Sequence, residues 1–152
     1  MKRMILLVLV LFNATLLISP GPASADSPRY LHITEISMEP QGSNVLFTVE
    51  YRLDFIARLY VLFLGSGNIE PAMNDLFYDF DDIKIISIKE NHARVMAYNV
   101  GYQDEDIEGV FFYDSHKLGT TVDTFIVFPG KENPEMLYNV ASTPNVFFRQ
   151  DE

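Results

Sequence analysis

The sequence predicts an α+β fold: a single antiparallel β-sheet with a two-helix hairpin packed on one face, in the order ββ-αα-ββββ(β). Three observations predict it. Asn44 to Leu53 alternates, with Val45, Phe47, Val49, Tyr51 and Leu53 on one side and Thr48, Glu50 and Arg52 on the other, the mark of a half-buried strand. Asp54 to Asp82 breaks that alternation and carries two helical runs separated by Gly65-Ser66-Gly67. The remaining strand-like runs are joined by short turns, which suit antiparallel pairing.

The first strand covers Tyr30 to Met38, rich in β-branched and aromatic residues, and Pro40-Gln41-Gly42-Ser43 turns it into the strand at Asn44 to Leu53. Asp54 is placed to cap the first helix by accepting a backbone N–H. From Phe55 to Leu64 only Arg58 is charged, so this helix is expected to be buried on more than one side. Asn68 is placed to cap the second helix, and Pro71 sits in its first turn, where a missing N–H costs little. Ile69, Met73, Leu76 and Phe80 then form a core-facing stripe, with Phe77 beside it.

Strands are expected again at Ile83 to Lys89, at Ala93 to Tyr102, at Val110 to Asp114 and at Thr121 to Phe128. Ala93 to Tyr102 is apolar on both faces and is expected to be central, under the helices. Glu135 to Val140 reads as an edge strand, and the tail after it carries a late Phe147-Phe148, so that it either docks by these aromatics or frays.

Ahead of the domain, Lys2 and Arg3 precede an apolar run from Met4 to Ile18, and Ala23-Ser24-Ala25 follows. A basic start, an apolar middle and a small-residue end make a secretory signal peptide at residues 1–25, with cleavage expected after Ala25. The competing reading is an uncleaved membrane anchor. Cleavage leaves 127 of the 152 residues, Asp26 to Glu152, as one extracytoplasmic domain, either secreted or associated with the cell envelope. Without Lys2 and Arg3, 9 basic side chains face 21 acidic ones, a formal charge of −12. That charge disfavours nucleic acid and anionic surfaces as partners. The chain has no cysteine, which excludes disulfides, thiolate catalysis and thiolate metal sites.

Leu59-Tyr60-Val61-Leu62-Phe63-Leu64-Gly65, Phe77-Tyr78-Asp79-Phe80-Asp81-Asp82, Lys117-Leu118-Gly119 with Val122-Asp123, and Thr143-Pro144-Asn145 together span most of the expected mature chain. In these segments the chain resembles a family of uncharacterised exported proteins of methanogenic archaea. The resemblance implies an extracytoplasmic archaeal protein and assigns no functional residue.

Two acidic clusters are candidate sites, the first for a divalent cation or a basic partner and the second for calcium. The first is Asp75, Asp79, Asp81 and Asp82. In a continuous helix Asp75, Asp79 and Asp82 share a face, where like charges repel each other and the helix dipole. Either a cation compensates or the helix stops early. The second cluster is Asp104, Asp106 and Glu108 before Gly109, which opens like a calcium loop. It departs from that loop at Glu108 and at Ser115, where the bidentate glutamate belongs, and its flanks are strands. Carboxylates facing water give the bland account of both.

His32, His92 and His116 fall in no metal-binding spacing. Asp114-Ser115-His116 has the residue types of a hydrolase triad, but adjacent strand positions cannot converge. The last candidate is an interaction surface on the first helix. Phe55, Leu59, Leu62 and Phe63 lie on one side, Ile56, Tyr60 and Leu64 on another, and a sheet covers only one of these. Arg58 is expected to reach the surface or to pair with Glu50 or Asp54.

The reading that follows is a non-catalytic extracytoplasmic binding or interaction module, engaging a protein partner or a second copy, and a membrane only if residues 1–25 are retained. The alternatives are a small exported Asp/Glu-dependent hydrolase, with or without calcium as a cofactor, and a structural envelope component.

Overall fold

The computed structural model describes residues 31–149, apart from 66, 68, 104–108 and 131–132, and leaves out the side chains of Tyr60, Leu62 and Leu64. The described residues form nine strands and two short helices in two sheets. This mainly-β architecture replaces the expected α+β fold with a single sheet.

The large sheet is built on the hairpin of β1 (Leu31–Gln41) and β2 (Asn44–Leu53), joined by the turn at Gly42. The alternation read from the sequence is realised. Val45, Phe47, Val49, Tyr51 and Leu53 are buried, while Glu50 and Arg52 face water. On the far side of β2 lies the hairpin of β3 (Ile83–Ile88) and β4 (His92–Ala97). On the far side of β1 lies β7 (Lys117–Val127), and beyond it β8 (Glu135–Ser142), giving the order β3-β4-β2-β1-β7-β8.

β7 pairs with β1 in parallel, Glu35 opposite Thr124 through Met38 opposite Val127. This overturns the expectation of a purely antiparallel sheet. The physical reason is that β1 has two hydrogen-bonding edges and its hairpin partner fills only one. The long excursion through β2 to β6 supplies the crossover that a parallel pair requires.

The second sheet has three strands, β5 (Gly101–Gln103), β6 (Val110–Tyr113) and β9 (Val146–Arg149). The run Ala93 to Tyr102, expected as one central strand, is split between the two sheets. Asn99 makes the break. It adopts a positive φ of 54°, a region Asn tolerates better than most residues, and its N–H donates to the Asn44 side chain at 3.1 Å. β4 keeps one buried face only, made by Ala93, Val95 and Ala97. The small sheet is tied to the β1–β2 turn. Gly101 N–H donates to the Ser43 carbonyl at 2.9 Å, and the buried Tyr113 hydroxyl donates to the Gly42 carbonyl.

The two helices are α1 (Phe55–Leu64) and α2 (Ile69–Leu76). They do not pack as a hairpin on the sheet. Among the described residues, α2 and the turn after it cover the face, and α1 touches the core through Ala57 and Val61. Ile69, Ala72, Met73, Leu76, Phe77 and Phe80 are buried there. Phe47 of β2 sits at the centre, its ring centroid 4.8 Å from Phe77 and 5.4 Å from Phe80. Such aromatic pairs add to the burial of the rings themselves.

β7 closes the core beside α2 at Gly119. A Cβ on Gly119 would overlap the Asp75 carbonyl oxygen, so a side-chain-free residue is what lets α2 and β7 touch backbone to backbone. α1 continues directly from Leu53, whose partner across the hairpin is Leu31. It therefore stands at the end of the large sheet opposite the β1–β2 turn and the small sheet.

Candidate functional site

The first acidic cluster does not sit on one helix face. α2 ends at Leu76, so Asp79, Asp81 and Asp82 lie beyond it, in the turn and bend that lead to β3. Of the two outcomes the charge pattern allowed, the early stop is the one that occurs. It relieves both the repulsion and the clash with the helix dipole.

Asp79 is used by the fold. Its Oδ2 accepts the Lys117 N–H at 2.8 Å and lies 3.6 Å from His116 Nδ1. Its carbonyl oxygen lies 3.1 Å from the same ring nitrogen. The His116 ring stacks on Phe80 with centroids 4.3 Å apart. These contacts pin the end of α2 to the start of β7. Asp81 and Asp82 are exposed, and the Asp82 carbonyl accepts the Tyr98 N–H at 2.9 Å.

Asp104, Asp106 and Glu108 lie outside the described residues. The described pairing next to them ends with Gln103 opposite Phe111. Among the described residues, no group of three His, Asp or Glu side chains is arranged to hold a metal ion.

Asp114-Ser115-His116 forms no triad. His116 turns to Asp79, and Ser115 is engaged with the C-terminal segment. Its hydroxyl donates to the Thr143 carbonyl, and its N–H donates to Asn145 Oδ1 at 2.8 Å. His116 N–H donates to the buried Thr143 hydroxyl at 2.8 Å, and Thr143 N–H returns a bond to the His116 carbonyl at 2.8 Å. Ser115 and the His116 backbone thus fasten the start of β7 to the segment between β8 and β9. On the wet face of the sheet, His32 and Asp123 meet at 2.9 Å across the parallel pair, an exposed contact of small energetic weight.

Two tyrosines brace the ends of the large sheet. Tyr51 donates its hydroxyl to the Lys89 carbonyl, and Tyr113 donates to that of Gly42. Burial pushes both hydroxyls up to about 12, because the phenolate would lose its hydration there.

What remains is α1. Asp54 caps it as expected, its Oδ1 accepting the Ala57 N–H at 2.7 Å, and Gly65 ends it with φ at 84°. The expectation that this helix is buried on more than one side is overturned. Phe55, Ile56 and Phe63 are 73%, 70% and 77% exposed, and Leu59 is 38% exposed.

The reason lies in helical geometry. Residues two apart stand roughly 200° around the axis from each other. Ala57 and Val61, one turn apart, face the core. Phe55, Leu59 and Phe63, also one turn apart, therefore face away. The sheet face that might have taken them is filled by α2 and Phe77 and Phe80. Of the predicted surface, Phe55, Leu59 and Arg58 are exposed, and the side chain of Leu62 is outside the described residues. Arg58 makes no ion pair with Glu50, Asp54 or any other described residue. The sequence reading missed Ala57 and Val61 as the docking side. The period of α1 carried that signal, but bulky residues at almost every position masked it.

No protein-family model, curated protein or solved structure matches the chain.

Proposed function

We propose that the protein is an exported, non-catalytic interaction module whose contact element is α1. The observation that carries the reading is the exposed stripe of Phe55, Leu59 and Phe63 with Ile56 at its side. Exposed large apolar patches of this kind mark interaction sites in soluble proteins. Further support comes from the polar groups that resemble catalytic machinery. Asp79, Ser115 and His116 are each committed to holding backbone segments together.

The test is fractionation of cells that make the wild-type chain or the triple variant Phe55→Ser/Ile56→Ser/Phe63→Ser. The reading expects the wild type in the envelope fraction after a high-salt wash, and the variant released into the soluble fraction. The same distribution for both chains overturns it. Release of the wild type by chelator alone would instead support a cation-bridged envelope component.

A further inference from the structure

We propose that α1 is an interfacial membrane contact, which lies in the headgroup region of the same bilayer that the apolar run Met4–Ile18 enters. This rests on the reading of α1 as the contact element and on retention of residues 1–25, and it names the occupant of α1, a lipid surface. The first support is where the described chain begins. Leu31 opens β1, is partly buried against the core, and pairs with Leu53, the last residue of β2 before α1. The chain arriving from the apolar run thus joins the domain at the foot of α1. Only residues 19–30 separate Ile18 from Leu31. Twelve residues span at most ~40 Å when fully extended. α1 lies at the end of the domain where that chain enters, and the small sheet is at the opposite end.

The second support is the shape of α1 itself. Ten residues are too few to cross a bilayer, and among the described residues no helix is long and apolar enough to do so. The helix instead presents one apolar face outward, with Ala57 and Val61 holding the other to the domain. An interfacial helix buries such a face ~5–10 Å into the boundary between headgroups and chains. Arg58 stands beside the stripe rather than within it, roughly 60° from Phe55 about the axis, where its stem can follow the apolar surface and its guanidinium can meet phosphate. The net negative charge of the domain makes this contact apolar in origin. It is therefore expected on zwitterionic lipid and to be insensitive to salt.

The chain has no tryptophan, so single replacements report cleanly. Phe63→Trp, and Phe55→Trp as a second reporter, are compared with Phe147→Trp, an equally exposed site on the small sheet. Each full-length variant is reconstituted into phosphatidylcholine vesicles, with and without acyl-chain bromination, at low and high salt. The proposal expects the α1 reporters to emit to the blue and to be quenched by brominated lipid at both salt concentrations, while Phe147→Trp stays solvent-like. Solvent-like emission from both α1 reporters on vesicles overturns it. The same reporters in chain 26–152 without lipid then separate the two readings. A blue shift that grows with protein concentration leaves α1 as a contact element, with a second copy as its occupant. Solvent-like emission throughout removes both.

Discussion

α1 and α2 follow each other in the chain, and their compositions invert their fates. α1 has one charged residue in ten and is largely exposed. α2 has Glu70, Pro71, Asn74 and Asp75 in eight and supplies the core with Ile69, Ala72, Met73 and Leu76. What decides burial is the match between one helical face and one vacancy on the sheet. α2 places its apolar residues on a single stripe and its polar ones opposite. α1 has apolar residues all round, so any docking leaves a stripe outside. It docks through its smallest apolar pair, Ala57 and Val61, which lets it approach the sheet end closely.

The sharpest way to test the contrast is to delete the ring on the α2 side. Phe77 is fully buried against Phe47 and Phe80. Phe77→Ala is expected to destabilise by about 3–5 kcal/mol, through lost transfer energy and the cavity left behind. Urea unfolding of the two chains measures it. A loss below about 1 kcal/mol would mean that the core is not centred on these rings.

Alkaline pH tests the tyrosine braces. Tyr51 and Tyr113 titrate at about 12 in the folded protein, against 10.0 when solvated. Between these values the unfolded chain has released protons that the folded chain keeps, so stability falls as pH rises. The contribution is fully present below pH 10 and is lost as pH climbs from about 10 to 12. Each unit corresponds to ~1.4 kcal/mol, so each tyrosine accounts for roughly 2–3 kcal/mol. Tyr51→Phe is expected to flatten part of that decline in a series of urea melts from pH 9 to 12. An unchanged slope would show that Tyr51 titrates alike in the folded and unfolded chains, so that burial does not hold its proton.

Gly119 probes the contact of α2 with β7. Gly119→Ala sets a methyl group against the Asp75 backbone, which has no flexible side chain to move aside. Overpacking of this kind costs about 1–3 kcal/mol. A thermal melt reads it as a lowered midpoint, and an unchanged midpoint would mean that α2 shifts freely over β7.

Much of this was legible in the residues, and the failures have a common cause. The β1–β2 hairpin follows from the alternation of Val45 to Leu53 and the turn at Gly42. The Asp54 cap follows from one carboxylate before an apolar run. The stripe Ile69, Met73, Leu76 and Phe80 was read correctly, although the helix ends at Leu76 and Phe80 reaches the core from a turn. These are local signals. The pairing of β1 with β7 joins Glu35 to Thr124, and nothing near either residue encodes it. The split at Asn99 had a local cue in a residue that tolerates positive φ, but Val95 to Tyr102 reads as one apolar run. For the acidic cluster, charge repulsion identified the right conflict and left its resolution to the rest of the fold. For α1, composition suggested burial, and only the occupancy of the sheet by α2 shows that no room remained.

The smallest expected effect is the most telling for that contrast. Phe55→Ser/Phe63→Ser removes two large rings from a helix, which in α2 would abolish the core. In α1 both rings already face water. Unfolding transfers little of their area, so global stability should move by no more than about 0.5 kcal/mol per site. Urea unfolding of the double variant beside Phe77→Ala is the measurement. A loss of several kcal/mol would place the stripe inside a covered surface and make the two helices alike. A null effect on stability, joined to loss of envelope association in the same variant, would show that these residues serve a contact outside the domain, since nothing within it needs them.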